Sequence, residues 1–222
     1  MHLDFAPNSL AQTDALGCAL AGVLQAGDTL ALLGDLGAGK TTLVRAIATA
    51  RGIDPALVSS PTFVIVNEYP GPCDTDPLLV HVDAYRLTSA DDLDLLGWDR
   101  LADGSSILLI EWAEHIADAL PPESTARLTL LATGEASRAI TLDAPDTWST
   151  RPMMNQLVSL AQQPEAPARE ATTCPTTGRP VPADSPTWPF VNDQARMADL
   201  YKWFSGQHSI SRSVEESDLE EE

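Results

Sequence analysis

The sequence predicts an α/β domain whose strands are buried beneath helices, followed by a small C-terminal appendage. Strand-sized apolar runs alternate with helical patterns over residues 3–148, which is typical of this fold class. A glycine-rich turn joins one of these runs to a helix, and beyond Trp148 the composition becomes polar and rich in proline. The predicted divisions are a domain over residues 1–148, a linker over 149–173, an appendage over 174–206 and an acidic, disordered tail over 207–222.

Local patterns predict each element of the domain in turn. Asn8 or Ser9 caps a first helix that continues to about residue 24, because leucines recur at helical spacing there. Turn formers in PGPCDTDP separate two of the strands that follow. The predicted strands are residues 29–33, 63–69, 78–82 and 106–110, of which 29–33 and 106–110 are expected to be fully buried. The further predicted helices are 40–50, 91–98 and 193–204, and residues 127–131 and 138–142 are expected to form a hairpin around Thr133 and Gly134.

Charge and cysteine content limit the function classes. Thirteen basic residues oppose 32 acidic ones, which gives a formal net charge of −19. Affinity for nucleic acid depends largely on lysine and arginine, so we expect no direct binding of DNA, and any RNA should be held by another subunit. Cys18, Cys73 and Cys174 lie far apart, with no pairing pattern. The sequence also shows neither a signal-peptide pattern nor an apolar run long enough to span a membrane. These observations together favour a reduced, cytoplasmic setting.

Residues 34–41 match the pattern G-x-x-x-x-G-K-[ST] and predict a site for a nucleoside triphosphate. Glycines let backbone N–H groups converge on phosphate oxygens, and the following helix directs its positive end at the anion. Lys40 is expected to reach the β- and γ-phosphates, and the Thr41 hydroxyl is a magnesium ligand. The nucleotide-binding residues predicted here are Gly34, Asp35, Leu36, Gly37, Ala38, Gly39, Lys40, Thr41 and Thr42.

A carboxylate at the end of a neighbouring strand should accompany the magnesium ion. Asp83 follows the strand 78–82 and Glu111 follows the strand 106–110, and the residues alone do not decide between them. His81 is assigned no catalytic role. Ser60 and Thr62 lie in a segment that either senses the γ-phosphate or forms a plain Ser/Pro turn.

Four blocks of the sequence stand in the same order and spacing as in a known family: GDLGAGKTTLVR, SSPTFVIVNEY, VHVDAYRL and LLIEW. Together they resemble the TsaE (YjeE) family, the small ATPase of bacterial tRNA threonylcarbamoyladenosine synthesis. The similarity covers about residues 3–142. It implies a P-loop NTPase fold with a mostly parallel sheet, and ATP with Mg²⁺. It also implies a cytoplasmic complex with the two paralogous transferase subunits that modify adenosine 37 of tRNA. In this family the nucleotide cycle resets or activates the transferase between turnovers.

The resemblance also implies roles for particular residues. Thr41 and Glu111 would hold magnesium with the help of Asp83, and Ser60 and Thr62 would form a switch-like segment. The catalytic set is therefore Lys40, Asp83, Glu111 and Thr62, with the choice of Asp83 or Glu111 as the group that orients water left open. Glu68, Tyr85, Arg86 and Trp112 also match family positions.

Two alternative functions remain. A small P-loop nucleotide or metabolite kinase would need an arginine-rich lid, for which only Arg127 and Arg138 lie late enough in the domain. Alternatively, the chain is a binding module directed by its tail, with a regulatory ATPase site.

Residues 174–204 resemble the zinc-binding YacG family, described as inhibitors of DNA gyrase. Cys174-Pro175, Gly178-Arg179 and Pro189-Phe190 match that family, but its other three metal positions fall on Thr177, Val191 and Ala195. A structural zinc site needs about four soft ligands. We therefore expect a degenerate appendage that holds no zinc.

Overall fold

The computed structural model describes residues 1–61, 65–87, 90–162, 171–185 and 187–204, apart from the side chains of residues 90, 91, 203 and 204. The chain divides into two compact units, Met1–Glu170 and Ala171–Glu222. Thr62, most of the later part of the expected linker and the expected acidic tail lie outside the described residues. Among the residues described, none of the helices combines the length and apolarity needed to cross a membrane.

A mixed seven-stranded sheet organises the first unit, in the order β1-β7-β6-β2-β5-β4-β3. Its central strands β6, β2, β5 and β4 are parallel, whereas β1, β7 and β3 join through antiparallel pairings. The α/β fold predicted from the sequence is confirmed. The strands are β1 (His2–Phe5), β2 (Thr29–Leu33), β3 (Val66–Tyr69), β4 (Leu79–Asp83), β5 (Ile107–Glu111), β6 (Thr125–Ala132) and β7 (Arg138–Asp143).

The parallel registers bring the predicted site residues to one edge of the sheet. Asp83, at the end of β4, pairs with Glu111, at the end of β5. Glu111 in turn pairs with Leu32 of β2, two residues before the phosphate loop begins at Gly34. The carboxyl ends of these three strands therefore meet where the glycine-rich loop leaves β2.

Helices cover both faces of the sheet because its central strands are apolar on both sides. Alternation along β5 places Leu109 in one buried cluster and Leu108 in the other. The first cluster contains residues of the helices α1 (Leu10–Val23) and α2 (Lys40–Ala50). These two helices pack so closely that a β-carbon added at Gly17 of α1 would lie 2.4 Å from the Cβ of Ala46 in α2. Ser9 caps α1, as its position in the sequence predicts, by accepting a hydrogen bond from the Gln12 amide.

Three elements differ from the sequence-based expectation. The single helix expected over residues 91–98 is instead α3 (Ala90–Asp94) and α4 (Trp98–Leu101), separated at Gly97, whose φ is +71°. Strand β1 was not predicted. The expected linker over 149–173 is wrong in its first part, because α5 (Met154–Ala161) forms there and buries Met154 and Leu157 in the domain core.

The second unit is small. It contains the short strands β8 (Thr172–Thr173) and β9 (Pro180–Val181) and the helix α6 (Asp193–Phe204). Cys174 is buried; burial raises the pKa of its thiol, but hydrogen bonds from Thr177 and from the Val191, Thr177 and Thr176 amides lower it to about 7. No group of three or more His, Cys, Asp or Glu side chains placed to hold a metal occurs in the described part of the chain. The lack of zinc in this unit stays a prediction.

Candidate nucleotide site

The phosphate loop depends on glycines at its turns. Gly34, Gly37 and Gly39 all have positive φ, at +140°, +78° and +103°. Gly34 also packs against the neighbouring strand, so that a β-carbon there would lie 2.3 Å from the Leu130 carbonyl oxygen. Between these glycines, the Ala38 amide donates to the Asp35 carbonyl at 3.1 Å, and Gly39 is the N-cap of α2. The loop therefore opens directly onto a helix N-terminus, as an anion site requires.

Lys40 is a buried cation at the centre of this loop. Its Nζ donates to the Gly34 carbonyl at 2.6 Å and to the Asp35 carbonyl at 3.0 Å, and lies 3.7 Å from the centre of the Trp112 ring. Burial lowers the pKa of Lys40, while nearby carboxylates such as Glu111 oppose that change. A desolvated ammonium held by neutral carbonyls is suited to exchange them for phosphate oxygens.

Thr41 and Glu111 supply two adjacent oxygen atoms next to Lys40. The Thr41 hydroxyl donates to Glu111 Oε1 at 2.7 Å, and the Glu111 side chain is buried. Magnesium prefers oxygen ligands, and it usually takes only one or two from protein and the rest from phosphate and water. The donor set present here therefore fits magnesium.

His81 is fully buried beneath the same carboxylate, a position that sequence reasoning left without a role. Its Nε2 lies 2.8 Å from Glu111 Oε1. A carboxylate without a proton can only accept, so a hydrogen bond to that form of Glu111 uses the tautomer of His81 with hydrogen on Nε2. The alternation of side chains along β4 could have indicated that His81 is buried. It could not have identified Glu111 as its partner, because the two residues are 30 positions apart.

Asp83 faces the segment that was expected to respond to the γ-phosphate. Its Oδ2 accepts a 3.1 Å hydrogen bond from the Ser60 hydroxyl, and its Oδ1 accepts one from the Tyr85 amide at 3.0 Å. Burial raises the pKa of Asp83, and the Tyr85 and Ser60 hydrogen bonds oppose that rise. Thr62, the other expected member of this segment, lies outside the described residues.

Three aromatic rings pack together beside Lys40, and one of them, Trp112, lies against its ammonium. Trp112 packs edge-on against Tyr85 with ring centres 5.0 Å apart, and His115 lies 5.8 Å from Tyr85. Trp112 has a φ of +59°, which is strained for a bulky residue and lets its ring lie over Lys40. Glu68, by contrast, forms an exposed ion pair with Arg100 at 2.5 Å.

A cavity of about 240 Å³ adjoins the helix side of the loop. It lies between the start of α1, the loop itself and the β6–β7 hairpin. Its lining includes Leu10, Thr13, Gly39, Thr42, Glu135 and Ile140. Thr42 is thus on the cavity side of α2, whereas its neighbour Thr41 contacts Glu111.

Arg138, at the start of β7, contacts the loop from the hairpin side. Its Nε donates to the Ala38 carbonyl at 2.7 Å, and Nη2 donates to the Gly37 carbonyl at 3.4 Å. The sequence alone suggests for this residue only a place in a kinase lid. A spacing of 100 residues gives no local signal of such a contact.

This mostly parallel sheet, with a phosphate loop between β2 and α2 and a carboxylate at the end of the adjacent strand, defines the P-loop NTPase fold class. A sequence profile described as "Threonylcarbamoyl adenosine biosynthesis protein TsaE" matches residues 7–140, more than half of the chain. The chain therefore belongs to the TsaE family. The match ends before residue 174, so the resemblance of the appendage to the YacG family stays a prediction.

Relatives support this assignment. The chain is 38% identical over 133 residues to the "tRNA threonylcarbamoyladenosine biosynthesis protein TsaE" of Bacillus subtilis, covering 60% of this chain and 80% of that protein. It is 34% identical to the protein of the same name from Treponema pallidum, covering 60% of this chain and 95% of that one. The crystal structure of Bacillus subtilis YdiB superimposes with a TM-score of 0.56 at 28% identity, covering 72% of this chain and 95% of that one.

Proposed function

We propose that this protein is a magnesium-dependent ATPase that acts in the formation of threonylcarbamoyladenosine at position 37 of tRNA. Membership of the TsaE family supports the pathway. The observation that carries the ATPase assignment is the contact between the Thr41 hydroxyl and the Glu111 carboxylate, next to the buried ammonium of Lys40. This arrangement supplies a cation for phosphate and a pair of oxygens for a metal ion at one place.

The loop and its helix would bind the triphosphate through backbone N–H groups. Lys40 would release the Gly34 and Asp35 carbonyls and bind β- and γ-phosphate oxygens instead. Thr41 and Glu111 would hold magnesium, with Asp83 assisting from the adjacent strand. The metal ion would neutralise charge on the β- and γ-phosphates. The cavity beside Thr42 offers room for the nucleoside, which is ATP by family analogy.

Asp83 is the better candidate to orient the attacking water. Oε1 of Glu111 already accepts from Thr41 and lies 2.8 Å from His81 Nε2, which suits it to a fixed metal-side role. Asp83 instead contacts Ser60, in the segment expected to respond to the γ-phosphate. Ser60 and Thr62 would then form the switch-like segment of the family pattern.

The proposed partners are the two paralogous transferase subunits, in the cytoplasm. A chain with a formal net charge of −19 repels the phosphate backbone of tRNA, so the tRNA would be contacted through those subunits. The nucleotide cycle would reset or drive the transferase between turnovers. The kinase alternative loses support because Arg138, one of its two candidate lid arginines, donates to loop carbonyls.

Phosphate release from ATP tests the proposal. We expect slow, magnesium-dependent turnover by the protein alone, and faster turnover with the transferase pair and tRNA. Lys40→Arg should abolish it, since the longer, forked guanidinium cannot place one compact charge where Nζ now contacts the Gly34 and Asp35 carbonyls. Lys202→Arg, the same change in the second unit, should behave as wild type. Turnover that is independent of the partner subunits would contradict the proposed role.

A further inference from the structure

We propose that Arg138 is a positioning residue that orients the phosphate loop for binding. This inference rests on the proposed binding of a triphosphate at that loop. The guanidinium joins two elements, the loop and the β6–β7 turn. Besides the bonds to Ala38 and Gly37, Nη1 donates to the Gly134, Glu135 and Ser137 carbonyls at 3.1, 3.2 and 2.8 Å.

The geometry of a peptide bond explains how a contact on one side of the loop acts on the other. The C=O of Ala38 and the N–H of Gly39 belong to one planar trans peptide, so they point in opposite directions. When Arg138 Nε holds the Ala38 oxygen at 2.7 Å, the Gly39 N–H is directed away from the guanidinium. Gly39 is the N-cap of α2, so its N–H lies at the helix end where anions bind.

The charge of Arg138 strengthens this effect. A cation at a carbonyl oxygen polarises the peptide and makes its N–H a stronger donor. All the hydrogen bonds described for Arg138 go to carbonyl oxygens, and burial lowers the pKa of its guanidinium. A half-buried cation held in this way is costly to keep for stability alone. Its planar fork reaches the loop and the turn together, which a lysine cannot do.

Two competing roles for Arg138 must be separated from positioning of the loop. Arg138 also lines the cavity beside the loop, so the first competing role is a direct contact with the nucleoside. The second is a general attraction of anions by the charge of the guanidinium. Inorganic tripolyphosphate tests the first role because it lacks a nucleoside, and Arg138→Lys tests the second because it keeps the charge.

The experiment is calorimetric titration of the full chain with ATP and, separately, with tripolyphosphate, both with magnesium. Arg138→Gln and Arg138→Lys are compared with wild type and with Arg127→Gln, a matched change at an exposed position of the same hairpin. We expect both Arg138 variants to bind both ligands about tenfold more weakly, as for a lost charge-assisted hydrogen bond. Arg127→Gln should bind as wild type, and thermal melting should confirm that every variant is folded.

Several results would overturn the inference. Weaker binding of ATP alone would indicate contact with the nucleoside, and full affinity in Arg138→Lys would indicate a simple charge effect. Unchanged affinity in Arg138→Gln would show that the loop does not need the contact. If Arg138→Gln does not fold, Arg138→Lys still carries the comparison. If wild type binds neither ligand, the proposed function fails instead.

Discussion

The Thr41 hydroxyl lies 2.7 Å from Glu111 Oε1, although the two residues are 70 positions apart in the chain. Thr41 lies in the first turn of α2, and Glu111 is the last residue of β5. Parallel pairing of β2 with β5 brings these two ends together. The contact therefore joins the phosphate loop to the carboxylate that the fold places beside it.

Replacing Thr41 with valine should remove the magnesium-dependent part of nucleotide affinity. With magnesium, we expect affinity for ATP to fall about 10- to 100-fold, the range for losing a bond to a charged group. With EDTA, the variant and wild type should bind alike, as measured by calorimetry. Thr49→Val removes an exposed hydroxyl from the same helix and is the control. A loss that is equal with and without magnesium would indicate a direct phosphate contact instead.

The buried pair His81 and Glu111 should be strongly coupled in stability. His81→Leu removes one hydrogen-bond partner of the buried Glu111 carboxylate. When Glu111 is replaced by glutamine, the same His81→Leu change leaves a neutral amide and not a charge without that partner, so it should cost less. We expect a coupling free energy of about 1–3 kcal/mol from urea unfolding of the two single variants and the double variant. If His81→Leu changes the free energy of unfolding equally in both backgrounds, the hydrogen bond does not contribute.

Glycines of the loop should differ sharply in their tolerance of alanine. At Gly34 the new β-carbon would meet the Leu130 carbonyl at 2.3 Å, so we expect Gly34→Ala to cost more than about 4 kcal/mol or to prevent folding. At Gly37 the space is open and only its positive φ opposes a side chain, which costs about 1–2 kcal/mol.

Urea unfolding measures both changes. Gly97→Ala, which has a φ of +71° and open space away from the loop, should match Gly37→Ala in stability. It should also leave nucleotide binding unchanged. Equal stability of the Gly34 and Gly37 variants would mean that the strand beside Gly34 yields to the added carbon.

His2 should make stability depend slightly on pH. Its hydrogen bond to Asp143 and the charge of Asp4 raise the pKa of His2, and the contact with Asp143 joins β1 to β7. The folded state therefore binds the proton more tightly, so the stabilisation is complete below about pH 6.5, the unfolded value, and is lost as pH rises through the raised pKa. His2→Gln should lower the Tm at pH 5.5 and leave it unchanged at pH 9. Because His2 is exposed, the difference should be small, and a larger difference at pH 9 would contradict this sign.

Much of the fold could be predicted because its signals are local. Ser9 caps a helix through an amide three residues away, and the buried strands β2 and β5 are continuous apolar runs. The helix α5 was missed because its two buried residues, Met154 and Leu157, follow a polar, proline-containing stretch that is typical of a linker. The helix predicted over residues 91–98 was placed too far along the chain, because the apolar pattern continues past the end of α3 at Asp94 and does not reveal that Gly97 adopts a left-handed conformation.

The sequence by itself determined the phosphate loop, since the conformational freedom of Gly34, Gly37 and Gly39 and the charge of Lys40 are properties of adjacent residues. It also limited the candidate carboxylates for a metal ion to Asp83 and Glu111, because each ends a buried apolar run. Only the tertiary structure decided that Glu111 meets Thr41 and His81, and that Arg138 holds the loop from the opposite hairpin. Such contacts depend on strand order and register, which arise from packing across the whole sheet and leave no mark at any single position.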